Sequence, residues 1–316
     1  MPESDHRPRS DCRALLRSAR ALLLEQTDLE RSDISSIRWM TRTNLSELYR
    51  IILKGDRHDG VIKVPGQYPS MHREIQVMCN REGEMHGQFS SVVAPKLWCA
   101  RQRLLIMDYI DGVDGHQLLK TLPKERDSVV SRHMLDTAQM IRDVHAAHTV
   151  HNDVRCKNVL IDITGRHYLT DFAMSLKLRP REEYRLPKLI DTIEYSSPEK
   201  ILSSTCGTDG DTFSFGCMLY RAIHPFSYSI TDDKHTIEEK ISAVLDAEDR
   251  VRSTIPHDHW AYDTLMQTLQ YSPQERPTMS TVCEQLHDIY EGLPEADDTN
   301  DKLAIAEAVQ QAKAHV

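Results

Sequence analysis

His151-Asn152-Asp153-Val154-Arg155-Cys156-Lys157-Asn158 stands between a helix-like stretch and an apolar run, Val159-Leu160-Ile161. Thr170-Asp171-Phe172-Ala173 follows shortly after. An aspartate, an asparagine five residues on and a second aspartate are what phosphoryl transfer needs. One carboxylate, Asp153, orients and deprotonates an attacking hydroxyl. The Asn158 amide and the Asp171 carboxylate hold Mg2+ on the phosphates. Each residue taken singly has a plainer reading. Asp153 could be a buried structural carboxylate, Asn158 a turn cap and Asp171 a loop acid. Lys63 is notable for another reason. It sits in the apolar run Val61-Ile62-Lys63-Val64, where a charge is costly unless paired. Its plainer reading is a lysine on an edge strand, pointing to solvent.

The surrounding chain predicts the elements that must hold these residues. Residues 36–109 carry short runs rich in Ile, Val and Leu: 37–40, 48–53, 61–64, 92–98 and 104–109. They read as antiparallel strands, with a hairpin turn at 54–60 and a helix at about 69–82. After Gly112 the pattern is helical, at 115–121, 125–149, 210–223, 236–247, 257–270 and 279–291. Leu15, Leu16, Ala19, Leu22 and Leu23 predict a helix over about 12–30, docked on the domain. The stretch 293–316 begins with acids and ends helix-prone, so a solvated tail or an appended helix is expected. His145, His148 and His151 stand three apart, a spacing open to a metal reading. His257-Asp258-His259 reads as a helix start.

The motifs together resemble the eukaryotic-type protein kinase superfamily, over roughly residues 37–292. The family's H-R-D-L-K-x-x-N is similar to His151–Asn158, and its D-F-G to Asp171-Phe172-Ala173. Its A-P-E is similar to Ser197-Pro198-Glu199, its D-x-x-S-x-G to Asp211–Gly216, and a late arginine to Arg276. The resemblance implies an α+β, bilobal protein-kinase-like fold, with a small β-rich N-lobe and a larger helical C-lobe. The expected organisation is an N-terminal helical extension, 1–35, a kinase domain, 36–292, and an acidic, helical C-terminal tail, 293–316. Within the domain the N-lobe is about 36–108 and the C-lobe about 109–292. The implied cofactors are ATP and Mg2+. Asp153, Arg155 and Lys63 take the catalytic roles, with Lys63 on the ATP phosphates and held by Glu74. Thr41, Thr43, Ser46, Leu48, Val61, Met107, Asp108, Ile110 and Leu160 surround the nucleotide, and Asn158 and Asp171 hold the metal. Glu199 and Arg276 form a structural ion pair, and Asp211 braces the catalytic loop. His151 thereby belongs to the loop and His145 to a helix end, which sets the metal reading aside.

The sequence departs from the family in places. Thr41, Thr43 and Ser46 stand where the phosphate loop has glycines. Glycine lets backbone N–H groups approach phosphates closely, and β-branched threonine resists positive φ. Ala173 replaces the glycine after Asp171-Phe172, restricting a backbone flip. Asn152 replaces an arginine that reads an activation-loop phosphate, and asparagine cannot form that bidentate pair. Arg179, Arg181 or Arg185 are the candidate substitutes. Arg155 and Thr192 fit the serine/threonine branch. The expected function is an ATP- and Mg-dependent Ser/Thr protein kinase acting on a protein substrate. The alternative is a pseudokinase scaffold, with partners docking through 1–35 or 293–316. Small-molecule kinases usually lack the A-P-E-like and D-x-x-S-x-G-like motifs.

Composition narrows the field. A net charge of −9 and a pI near 6.0 argue against a nucleic-acid or anionic-membrane binder. No apolar run approaches the roughly 18 residues of a membrane span. The polar start lacks the apolar core of a secretory signal. The seven cysteines form no Cys-x-x-Cys pair, so reduced thiols in a cytoplasmic or nuclear compartment are expected.

Overall fold

The computed structural model describes residues 17, 20–21, 23–25, 29–42, 46–55, 58–65, 72–101, 104–178, 184–185, 193–224 and 229–315. At 42, 65, 72–79, 99, 101, 184, 185 and 206 it describes the backbone alone. The chain divides into two units, 1–110 and 111–316.

Among the described residues the first unit holds an antiparallel sheet, a long helix after its third strand, and helical residues at 20–21 and 23–25. Its strands are β1 (Ile34–Arg42), β2 (Ser46–Leu53), β3 (Gly60–Pro65), β4 (Leu97–Arg101) and β5 (Leu104–Asp108), in the order β1-β2-β3-β5-β4. The register pairs Tyr49 with Ile62 and Ile62 with Ile106, so one face carries large apolar side chains. Ile51, Leu53, Val64 and Leu104 extend that face, and all are buried. Leu23, fully buried, and Leu24 pack on it from the N-terminal segment. Those two residues therefore cover the sheet.

Helix α1 (His72–Phe89) runs past the expected end at 82 despite two glycines. Glycine lowers helix propensity. Packing explains the exception, since a Cβ on Gly83 would stand 2.8 Å from the Ala100 Cβ. The expected strand at 92–98 starts late. The Phe89 carbonyl accepts from the N–H groups of Val92, Val93 and Ala94, which makes a turn, and β4 begins at Leu97.

The second unit is mainly helical. Strand β6 (Gly112–Asp114) leads into α2 (Gly115–Leu118), which is shorter than expected and capped by Asp114. Helix α3 (Asp127–Ala146) follows, then β7 (Thr149–Val150), β8 (Val159–Asp162) and β9 (His167–Leu169). The sheet order β6-β8-β9 fixes the start of β8 immediately after Asn158. Helix α4 (Pro198–Ser203) precedes the deeply buried α5 (Thr208–Ile223). A Cβ on Gly216 would lie 2.6 Å from Thr268 Oγ1, so only glycine lets α5 approach α8 (Tyr262–Thr268) this closely. The expected helix 236–247 is two, α6 (Ile237–Leu245) and α7 (Ala247–Thr254), because Asp246 leaves helical geometry. Helix α9 (Met279–Gly292) packs on α3.

The segment expected as a tail is α10 (Asp298–Ala314), packed on α3 through Ile305 and Val309, both fully buried. No described helix is long and apolar enough to cross a membrane.

Candidate active site

The candidate residues divide between the units. In the first, strand alternation gives the sheet a second face opposite the apolar core. Leu48 pairs with Lys63 and Lys63 with Leu105. Arg50 pairs with Val61 and Val61 with Met107. Leu48, Val61, Lys63 and Met107 thus share one face. Thr41, paired with Leu48, and Ser46, two residues before it, fall on the same face. Thr41 is exposed at the end of β1, and Ser46 is buried at the start of β2. Thr43 lies outside the described residues.

Lys63 is buried, and its Nζ stands 2.7 Å from Glu82 Oε1. Glu82 is itself 3% exposed, so the ammonium and carboxylate are withdrawn from water together. The resemblance implied Glu74 in this place, and the side chain of Glu74 lies outside the described residues. Glu74 starts two turns earlier in α1. A helix rises 1.5 Å per residue, which separates the two glutamates by about 12 Å. Glu82 is the described partner of the lysine.

At the end of β5 the Asp108 N–H donates to the Lys96 carbonyl, 2.8 Å, and the Tyr109 N–H to the Asp59 carbonyl, 2.8 Å. The Asp108 side chain accepts from Trp98 Nε1. Ile110 ends the unit, half-buried. The Asp108 amide is therefore committed to the sheet, which leaves its carbonyl as the group able to receive a ligand donor.

In the second unit the loop between β7 and β8 is held from below. Asp211, at the start of α5, accepts from the His151 N–H and the Asn152 N–H, both at 2.7 Å. His145 Nε2 lies 2.9 Å from the same carboxylate. Burial pushes the Asp211 carboxyl up. Hydrogen bonds from the His145 side chain and the His151 N–H act against burial, and the carboxyl is held below the usual range. A fixed carboxylate here lets Asn152 adopt φ 63°, a left-handed conformation that asparagine tolerates. His151 donates from Nε2 to the Thr170 carbonyl, 3.0 Å, and its Nδ1 accepts from the Asp153 N–H, 3.3 Å. Its ring meets the buried Phe172 edge-on, at 4.9 Å.

Asp153 and Asn158 are brought together. Asn158 Nδ2 donates to Asp153 Oδ2 and to the Asp153 carbonyl, both at 2.8 Å. The amide oxygen of Asn158 is thereby turned away from Asp153. The Thr170 N–H donates to the Asn158 carbonyl, 2.9 Å, and delivers Asp171 next to the pair. Asp171 has φ 63°, followed by the one-turn helix Phe172–Met174. The Arg155 guanidinium lies 3.3 Å from Asp153 Oδ2. Burial raises the Asp153 carboxyl above its ordinary value. Arg155 opposes that rise and the Asp171 charge adds to it. A carboxyl raised in this way is a better proton acceptor than a free aspartate.

An amide oxygen from Asn158 and the carboxylate of Asp171 are hard oxygen donors. They suit Mg2+, which takes one or two protein groups and completes its octahedron from phosphates and water. Among the described residues no group of three His, Cys, Asp or Glu is placed to hold a metal ion. Leu160 stands in β8, half-buried, two residues after Asn158.

Lys200 was not anticipated. From α4 its Nζ donates to the Asn152 carbonyl, 2.7 Å, and its charge lowers Asp153. A single lysine after Pro198-Glu199 gives no signal of this. Arg276 and Glu199 form a bidentate pair with both N–O distances 2.9 Å, and the Arg276 side chain is fully buried. Thr192, Arg179 and Arg181 lie outside the described residues, as does the side chain of Arg185.

Residues 60–287 match the family described as Protein kinase domain. The match begins at Gly60, after the stretch that lacks glycines. An Aurora kinase of Debaryomyces hansenii is 23% identical over 248 residues, covering 75% of this chain and 58% of the relative. An Aurora kinase of Saccharomyces cerevisiae is 26% identical, over 56% of this chain and 47% of its own length. A probable serine/threonine-protein kinase of Dictyostelium discoideum is 33% identical over 37% of this chain and 25% of the relative. The chain spans about half the length of the Aurora relatives it matches. The family match covers well over half of the chain, and the loop held by Asp211 agrees with it: the chain belongs to the protein kinase family.

Proposed function

We propose that this chain is an active serine/threonine protein kinase that uses ATP and Mg2+ to phosphorylate protein hydroxyls. The observation that carries the reading is the Asp153–Asn158 pair at 2.8 Å, on a loop whose backbone is fixed by Asp211. The relatives' printed names and the Arg155 position favour a serine or threonine acceptor. ATP bound with Mg2+ supplies the phosphoryl group and neutralises its charge. Lys63, held by Glu82, binds phosphate oxygens. Asn158 and Asp171 hold the metal. Asp153 orients the acceptor hydroxyl and takes its proton, and Arg155 balances negative charge beside it. Leu48, Val61 and Met107, on one face of the first unit's sheet, contact the base, with the Asp108 carbonyl and the Ile110 backbone as its polar contacts.

A nucleotide-binding scaffold is the second reading, favoured by the absence of glycine from 41–48. One experiment separates them. The purified chain is incubated with Mg2+, labelled ATP and a generic protein substrate, beside Asp153→Asn and Asp171→Ala. Transfer that both substitutions abolish is the expected result. Label surviving both, or neither label nor a nucleotide-dependent thermal shift, overturns the kinase reading. A thermal shift without transfer selects the scaffold.

A further inference from the structure

The catalytic loop is bordered, within the second unit, by cations that the proposed transfer does not use. Lys157 lies in the one-turn helix Cys156–Asn158, between Asp153 and Asn158 in sequence, and is exposed. Arg221 reaches the same turn from α5. Its Nη1 donates to the Tyr195 hydroxyl, 3.4 Å, and that hydroxyl donates to Cys156 Sγ, 3.5 Å. Helix α2 arrives against the same turn. A Cβ on Gly115 would stand 2.9 Å from the Cys156 carbonyl oxygen, and His116 is the next residue. Lys120 is exposed just beyond α2. Lys124 Nζ donates to the Arg221 carbonyl, 3.4 Å, and the His224 carbonyl, 2.6 Å.

Burial opposes the Arg221 charge, but Tyr195, Cys156 and Asp232 outweigh it, so the uncompensated charges here are those of the exposed Lys120 and Lys157. Arg221 is 8% exposed, and its buried Nε has no hydrogen-bond partner among the described residues. Asp232 pairs with Nη2 at 3.8 Å and also accepts from the Ser229 N–H and hydroxyl, both at 2.8 Å, so the guanidinium's Nε is the group left unmet. Asp114 is occupied in capping α2. Lys120 and Lys157 have no ion-pair partner among the described residues. The crowding is felt in titration too. Burial, then Arg221 and Lys120, push His116 below its ordinary value, and burial with Arg221 pushes Lys124 down to about 8. An orphaned guanidinium N–H in a buried site is costly unless an anion or water meets it.

We propose that His116, Lys120, Lys157 and Arg221 form an anion-binding subsite that takes a carboxylate- or phosphate-bearing residue of the protein substrate close to the acceptor hydroxyl. The proposal rests on the kinase reading, because Asp153 is what places the acceptor beside Lys157. It makes the substrate class acidic or already phosphorylated near the target serine or threonine. Lys124 supports the subsite by holding the end of α5 through its carbonyls.

Serine peptides carrying glutamate, phosphoserine, glutamine or arginine at each of three flanking positions on either side test this with the full chain. Binding is read by fluorescence polarisation and transfer by initial rate. The expected result is a preference of about tenfold for an anionic over a glutamine peptide at one flanking position, the scale of a charge-assisted contact. Phosphoserine above glutamate identifies a phosphate, and equality identifies a carboxylate. Lys157→Glu and Arg221→Gln bring the ratio close to one. Should the buried Arg221→Gln fail to fold by circular dichroism, Lys157→Glu at its exposed position carries the test. Equal binding of anionic and glutamine peptides, or a ratio unchanged by Lys157→Glu, overturns the subsite. Transfer without flank preference overturns the subsite and leaves the kinase reading standing. Anion preference lost in Lys157→Glu, with no transfer to any peptide, keeps the subsite and overturns the kinase reading.

Discussion

Lys63 and Glu82 are charges withdrawn from water, and a buried ion pair is sustained only by good geometry. Losing the Glu82 charge frees the lysine head from its fixed position at 2.7 Å. Misplacement by about 1 Å costs on the order of a hundredfold in rate. Glu82→Gln therefore lowers kcat/KM by about that factor, measured with saturating Mg2+. Glu74→Gln is the comparison: a larger loss at 74 than at 82 returns the role to Glu74. The two glutamates also show where residue-level reading ends. Lys63 was legible because a lysine inside an aliphatic strand is anomalous. Its partner was not, because α1 carries several glutamates and spacing does not choose among them. That Asp153 and Asn158 come together was legible for the opposite reason, since their order along one short loop places them side by side.

Elements are joined by buried charges, and the resemblance to the family implied one of these links, Arg276 with Glu199. Arg276 links the approach to α9 with Glu199 on α4, and also donates to the Gln270, Tyr271 and Asp209 carbonyls. Arg276→Ala leaves Glu199 and three carbonyls unanswered, and lowers stability by about 3–5 kcal/mol. Urea unfolding followed by circular dichroism measures the loss, with a smaller one expected for Arg276→Lys. Asp301 on α10 was less legible still. It lies in a run of acids, yet it is fully buried and accepts from Arg126, Ser128, Tyr290 and the Asp297 N–H. The alanines of α10 gave only a weak apolar stripe, so burial there depends on α3 being present. Asp301→Ala is expected to release α10, read as new protease cleavage between 298 and 314 and a lowered thermal midpoint. Unchanged cleavage would mean that Ile305 and Val309 hold the helix without the carboxylate.

At the scale of the whole molecule, three buried histidines make folding sensitive to acid. His86 in the first unit faces the Pro95 carbonyl at 2.8 Å, and burial pushes its pKa down to about 4. In the second unit His133 Nδ1 lies 2.7 Å from His167 Nε2, while His167 Nδ1 donates to the Gly165 carbonyl at 3.0 Å. That arrangement needs His167 neutral, with Nε2 accepting from His133. Burial pushes His133 down to about 3 and His167 down to about 4. The unfolded chain takes these protons near 6.5, and the folded chain resists them until about 4 or below. The unfolded state therefore binds more protons in that window. Stability is full above about pH 6.5 and falls as pH drops toward 4, by about 1.4 kcal/mol per pH unit for each histidine. Urea unfolding at intervals between pH 7.5 and 5 measures the slope. His167→Gln, which keeps a polar side chain without a titrating proton, reduces that slope by about one proton. A slope unchanged by His167→Gln would show that the His133–His167 pair is protonated in the folded chain as readily as in the unfolded one.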